Sequence, residues 1–264
     1  MCRLLGFLSP TPVSAADLIG AAQCRRWQDL GRLHDDGWGT AWIDPTAAEA
    51  IARFRTPTEG TDDPRLTAAL DDEADVGRIF HLRMATTGMA DLVENTHPFL
   101  ADGIAFAHNG SVHPVEELRA LVTDEEIARI GGTTDSALVF ALILRRVRTG
   151  VTLLEAVVET VRMLRADFDH PGINLLLLTA GELIVVHATA GTPVPYQSFD
   201  LSGTGGLLPY DHRDHYYRMS WQRFDNGATI VTSSGLSHAG WSRIEQNTAM
   251  RLRLGTGAET IVRL

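Results

Sequence analysis

Apolar positions recur along the chain with two periods, and their order predicts strands before and after a central pair of helices. Residues 3–8 form an apolar, strand-compatible run. Ser14-Ala15-Ala16-Asp17 has the form of a capping box and predicts a short helix through about Gln23. Residues 40–43 and 51–55 read as short strands on either side of the Asp44-Pro45 turn. Pro64 suits a helix start, and Leu66, Ala69 and Leu70 follow it on one face. Residues 78–84 and 104–108 read as strands ending in polar or glycine-containing turns.

In the middle of the chain the period lengthens. Pro114 opens a helix with Leu118, Leu121 and Val122 on one face, and Asp135 is expected to cap a longer one running to Thr149. A further helix spans residues 152–164, with apolar positions three to four apart. Residues 173–179 and 182–188 then form a hairpin about Ala180-Gly181. Residues 203–208 are a glycine-rich loop, and 229–232, 248–254 and 260–264 are late strands. Strands on both sides of the helices favour one mixed α+β domain over residues 1–264 rather than a regular βαβ alternation.

Charge narrows the function classes. With 33 acidic and 23 basic residues the net charge is −10, which argues against a broadly basic nucleic-acid surface and against anionic membranes. All 23 basic residues are Arg, so Schiff-base, phosphate-loop and general-base lysines are excluded. The two cysteines, Cys2 and Cys24, have no zinc spacing, and no disulfide framework is expected. His212 and His215 lie among Asp211, Arg213 and Asp214, which reads as a solvated charged loop rather than a metal pair. Neither a metal nor a cofactor is expected. The apolar opening is too short for a signal peptide, and the 173–178 run has the length of a buried strand, so a soluble cytoplasmic protein is expected.

Cys2 carries the sharpest chemical suggestion. Removal of Met1 would give it a free α-amine, whose ordinary pKa of about 7.7–8.0 suits a base acting on its own thiol. With Met1 attached, that nitrogen is an amide and has no such role. The alternative is a cysteine that is simply buried in a strand. Arg83, at a strand end before Met84-Ala85-Thr86-Thr87-Gly88, suits either a bidentate grip on a carboxylate or a surface ion pair. Asn109-Gly110 offers a side-chain NH₂ and a backbone N–H to an oxyanion, or else a hairpin turn. Asp135 either caps a helix or accepts from a substrate ammonium.

In this order, Met1-Cys2, Arg83-x-Ala85-Thr86-x-Gly88, Asn95-Thr96-His97-Pro98-Phe99, His108-Asn109-Gly110 and Thr134-Asp135 resemble the class II glutamine amidotransferase domain, part of the N-terminal-nucleophile hydrolases. His34-Asp35-Asp36-Gly37-Trp38-Gly39 is similar to the short stand-alone branch of that family. The resemblance implies a four-layer αββα sandwich of two antiparallel sheets between helical layers. It implies Cys2 as nucleophile with its own α-amine as base, and Asn109 and Gly110 as the oxyanion hole. Arg83, with Thr86 beside it, would hold the substrate α-carboxylate, and Asp135 the α-ammonium. Trp38, Thr87, His97 and His108 would shape the loops around the site. Synthase-fused relatives usually carry Trp and His where Met84 and Thr87 stand, so contacts around the carboxylate are expected to differ.

The resemblance implies a small-molecule substrate, glutamine or another γ-glutamyl amide, and leaves three readings. The chain is a glutaminase-like subunit passing ammonia to a separate synthase. Or it hydrolyses a γ-glutamyl compound alone, like the ergothioneine-pathway γ-glutamyl hydrolase of this family, which also opens Met-Cys-Arg. Or it is a glutamine-like ligand sensor, which would not need a processed N-terminal thiol. No synthase or sugar-isomerase segment is recognisable in the 264 residues, so the acceptor half is expected elsewhere. The leaving-group pocket is expected in the variable loop at 203–215.

Overall fold

Period-two alternation along the first strand, β1 (Arg3–Val13), divides its side chains between two apolar clusters. Leu4 and Leu8 enter one, Leu5 and Phe7 the other. The computed structural model describes residues 2–85, 92–194, 196, 215–236, 240–257 and 259–264. The strands after β1 are β2 (Trp38–Ile43), β3 (Ile51–Thr56), β4 (Asp75–Leu82), β5 (Phe99–Ala101), β6 (Ile104–Asn109), β7 (Ile173–Leu178), β8 (Glu182–Ala188), β9 (Met219–Arg223), β10 (Thr229–Ser233), β11 (Ser242–Arg243), β12 (Thr248–Arg253) and β13 (Glu259–Arg263).

One sheet has seven strands in the order β11-β9-β10-β1-β4-β2-β3, and the other six, β13-β12-β8-β7-β6-β5. Every strand pairing within them is antiparallel. Helices α1 (Ala15–Ile19), α2 (Ala21–Asp29) and α3 (Pro64–Asp71) cover the outer face of the first sheet, burying Leu18, Trp27 and Leu66 against Leu5 and Phe80. Helices α4 (Val115–Ala120), α5 (Asp124–Ile130), α6 (Asp135–Val147) and α7 (Leu153–Asp167) cover the second, against Phe106, Leu175 and Leu177. The inner faces meet through Leu4, Ile79 and Ala41 on one side and Ala107, Leu176 and Val185 on the other. This is the αββα sandwich that the motifs imply.

Several boundaries differ from the sequence expectation. The first helix breaks at Gly20, whose φ of +81° an L side chain rarely adopts, and α2 carries on to Asp29. Strand β4 ends at Leu82 rather than Met84. Helix α6 is capped by Thr134, whose hydroxyl accepts from the Ala137 N–H, so Asp135 is its first helical residue and not its cap. Pro114 likewise precedes α4, and Leu121 is exposed. Strands β5 and β9 and helix α5 carry no prediction, although Thr123 and Glu126 form a capping box before α5. The loop at 203–208 and His212 lie outside the described residues. Among the described residues no single helix is long and apolar enough to cross a membrane.

Candidate active site

The apolar layer between the sheets turns polar at one end. On the first sheet, the alternation that points Leu4 and Ile79 inward continues to Cys2 and His81, with Leu4 paired to His81 in register. On the second, the alternation of Ala105 and Ala107 continues to Asn109, which pairs with Asn174, and Asn174 pairs with His187. All five polar side chains are buried. The hydrophobic effect holds the sheets together a few residues away, so this polar end is rigid without contributing to the core itself.

Cys2 and Asn109 face each other across the layer. The Cys2 α-nitrogen donates to Asn109 Oδ1 at 3.1 Å, and the thiol sulfur lies 3.8 Å from the Met84 carbonyl oxygen. Asn109 is fully buried, and its Nδ2 has no hydrogen-bond partner. Leaving such a donor unsatisfied costs about 1–3 kcal/mol, which a bound oxygen would recover.

Gly110 is fixed by what surrounds it. A Cβ there would overlap the Gly172 carbonyl oxygen and crowd the His108 ring. That carbonyl accepts from His108 Nε2 at 2.8 Å, so Nδ1 is the acceptor and takes the Ser136 hydroxyl proton at 2.8 Å. His108 faces the helical layer, one residue out of phase with Asn109, and ties the end of β6 to the start of α6. Burial pushes its pKa down, opposed by the nearby Asp135 carboxylate. Asp135 is buried in the first turn of α6, where Oδ2 accepts from Val112 N–H and Oδ1 from Ser136 N–H, both at 2.9 Å.

The segment after β4 passes beside the thiol. Arg83 is buried, its backbone N–H donates to the Gly37 carbonyl at 2.8 Å, and its Nη1 donates to the Asp36 carbonyl at 3.0 Å. Asp36 Oδ2 accepts from Ala85 N–H at 2.6 Å. The Asp36-Gly37 loop is thereby stapled to Arg83 and Ala85. Thr86 and Thr87 lie outside the described residues. Trp38 is not brought to the site. Its side chain alternates to the outer face, packs against Phe54 with ring centroids 5.0 Å apart and the planes tilted by 47°, and donates Nε1–H to Asp63 at 2.9 Å.

His97 packs beside Cys2 with a histidine that no motif flagged. His97 Nδ1 is 2.9 Å from His81 Nε2, and His81 Nε2 is 3.1 Å from the His108 carbonyl oxygen. Burial drives the His81 pKa down to about 3 and that of His97 well below the ordinary imidazole range. Both rings are neutral near pH 7. A neutral imidazole of such low basicity is a poor partner for deprotonating a thiol. His81, Asn174 and His187 were missed. Their signal is inward parity on strands β4, β7 and β8, which is visible only once those strands are paired.

The chain is similar to known proteins over most of its length. Residues 1–262 match the family described as glutamine amidotransferases class-II. Glutamine–fructose-6-phosphate aminotransferase (isomerizing) of Agrobacterium fabrum is 30% identical over 246 residues, covering 89% of this chain and 36% of that protein. The Escherichia coli K12 protein of the same name is 32% identical over 146 residues, 51% of this chain and 22% of its own length. The chain thus spans about a third or less of these curated relatives. A glutamine aminotransferase class-II domain protein from Silicibacter pomeroyi superposes with a TM-score of 0.66 at 18% identity, covering 100% of this chain and 99% of its own. The glutamine phosphoribosylpyrophosphate amidotransferase of Bacillus subtilis gives 0.61 at 17%, covering 99% and 49%. With the family matched along nearly its whole length and the sandwich shared with these structures, the chain belongs to the class II glutamine amidotransferases, a family of enzymes.

Proposed function

We propose that the chain is an N-terminal cysteine amidohydrolase that cleaves the γ-amide of glutamine or of another γ-glutamyl compound. The observation that carries this reading is the buried Asn109 side chain, whose oxygen is taken by the Cys2 α-nitrogen while its NH₂ is left without a partner. Such a donor suits an oxygen that becomes negative only during reaction.

With Met1 removed, the Cys2 α-amine takes the thiol proton and the sulfur attacks the γ-carbonyl carbon. The carbonyl oxygen becomes an oxyanion held by Asn109 Nδ2–H and the Gly110 N–H. The α-ammonium then gives its proton to the departing nitrogen as the carbon–nitrogen bond breaks, leaving a γ-glutamyl thioester on Cys2. The freed amine activates water, which attacks the thioester, and glutamate leaves as the thiol re-forms. Arg83 holds the α-carboxylate and Asp135 the α-ammonium of the substrate, with Thr86 beside the carboxylate.

Glutamate release is the decisive readout because it appears whatever the leaving amine. Wild type and Cys2→Ala are compared on L-glutamine and a panel of γ-glutamyl amides, with Met1 removal verified by intact mass. Cys2-dependent release is expected. Preference for glutamine supports an ammonia donor serving a separate synthase, whereas preference for a larger amide supports a γ-glutamyl hydrolase of a thiol pathway. No release from any substrate by the processed protein overturns the proposal.

A further inference from the structure

The thiol of Cys2 has a second chemistry available to it. One ligand atom from each of Cys2, His81 and His97 lies within 4.8 Å of the other two, and all three residues are buried. His81 Nδ1 and His97 Nε2 have no hydrogen-bond partner. The His81 Nε2 contact with the His108 carbonyl is the outer hydrogen bond typical of a metal-bound imidazole, and it leaves Nδ1 with the lone pair. From this juxtaposition we infer that Cys2, His81 and His97 form a binding site for a thiophilic divalent cation of the Zn²⁺ class, which switches the nucleophile off.

The geometry and ligand chemistry agree. Zinc takes thiolate at about 2.3 Å and imidazole at about 2.0–2.1 Å, which puts neighbouring tetrahedral ligands about 3.3–3.6 Å apart. Closing the observed set to that spacing takes a movement of roughly an ångström at most per side chain, a rotamer adjustment rather than a rearrangement. Removal of Met1 adds a fourth donor, because the Cys2 α-amine and thiolate together close a five-membered chelate ring. The N-terminus would then give up its bond to Asn109, and a substrate carbonyl would no longer reach the sulfur. Cys24 does not compete, since burial, helped by the neighbouring Asp71, pushes its thiol up to about 12.

Binding rests on the cluster alone, whereas inhibition also rests on the nucleophile assigned to Cys2, so the test reads the two separately. Processed full-length protein is titrated with Co²⁺, whose thiolate charge-transfer and visible ligand-field bands report coordination, and Zn²⁺ is then added to displace it. One equivalent with a thiolate band is expected, lost in Cys2→Ser and weakened about tenfold or more in His81→Gln and in His97→Gln. Zn²⁺ should abolish glutamate release and a chelator should restore it. If a histidine variant fails to fold, a chain with one retained residue before Cys2 removes only the amine ligand and should bind more weakly. Affinity unchanged in the histidine variants, or the absence of a stoichiometric band, overturns the site. Normal cobalt bands with no glutamate release even in metal-free protein would instead sink the amidohydrolase and leave the metal site standing.

Discussion

Asn109 receives the α-nitrogen of Cys2 on one end of its amide and offers nothing but an unpartnered NH₂ on the other, 107 residues away in sequence. In the proposed mechanism this one side chain both orients the base and faces the place where negative charge would develop. The two tasks are separable by substitution.

Asn109→Ala removes both, and turnover is expected to fall about a hundredfold or more, in keeping with about 2.7–4 kcal/mol for one oxyanion donor. Asn109→Asp keeps an oxygen for the α-nitrogen but loses the donor. It should show a comparable loss in kcat while Cys2 is alkylated by iodoacetamide at close to the wild-type rate. Equal turnover of wild type and Asn109→Asp would remove Asn109 from the oxyanion hole.

Gly110→Ala should fail at the level of folding. The new methyl would meet backbone, the Gly172 carbonyl, which already accepts from His108. Neither group can swing aside as a flexible side chain would. A destabilisation of about 1–3 kcal/mol is expected. Urea unfolding checks it, with Gly181→Ala as a control at a position where a Cβ meets nothing within 4 Å. Indistinguishable midpoints would contradict the close approach.

The parts of this site that were legible in the sequence are those where local chemistry and strand alternation agree. Cys2, Asn109 and Gly110 sit at strand ends, and β6, β7 and β8 lie within a residue of where their patterns put them. Trp38 shows the limit of motif reading. It opens β2 directly after a loop stapled near the thiol, yet alternation turns its side chain to the opposite face. His81 was illegible for the converse reason, since it belongs to no motif and gains meaning only when β4 pairs with β1. Asp135 has a residue type that suits a cap as well as an ammonium acceptor, but the neighbouring Thr134 hydroxyl caps the helix, and the Asp135 carboxylate accepts instead from the Val112 and Ser136 N–H groups.

Arg83→Ala should weaken binding more than turnover. A charge-assisted hydrogen bond to a carboxylate contributes about 1.5–3 kcal/mol, so KM is expected to rise at least about tenfold. Lysine lacks the planar fork, and Arg83→Lys should recover little of the loss. Asp36→Ala is a useful companion, because it removes the acceptor of Ala85 N–H without touching the guanidinium. It should raise KM less than Arg83→Ala does. Steady-state kinetics of glutamate release measure both, and a fall in kcat at unchanged KM for Arg83→Ala would move Arg83 from substrate binding to the reacting centre.

The buried histidines set a pH dependence of folding. Burial holds the His81 pKa at about 3 and that of His187 at about 4 in the folded chain, whereas an unfolded histidine titrates near 6.5. Between these values the unfolded chain binds a proton that the folded chain refuses, so stability rises with pH across that window. The contribution is complete above about pH 6.5 and has been lost by the time the pH reaches the folded values. Each such histidine adds a slope of about 1.4 kcal/mol per pH unit. Urea unfolding at pH 7, 6 and 5 should therefore show a steep decline, and His187→Gln should lessen the slope by about one proton's worth. Among the described residues His187 hydrogen-bonds to Asn174, at 2.8 Å, so glutamine keeps a polar partner there and the comparison isolates the proton. A stability that stays level from pH 7 to pH 5 would mean that these rings are charged in the folded protein.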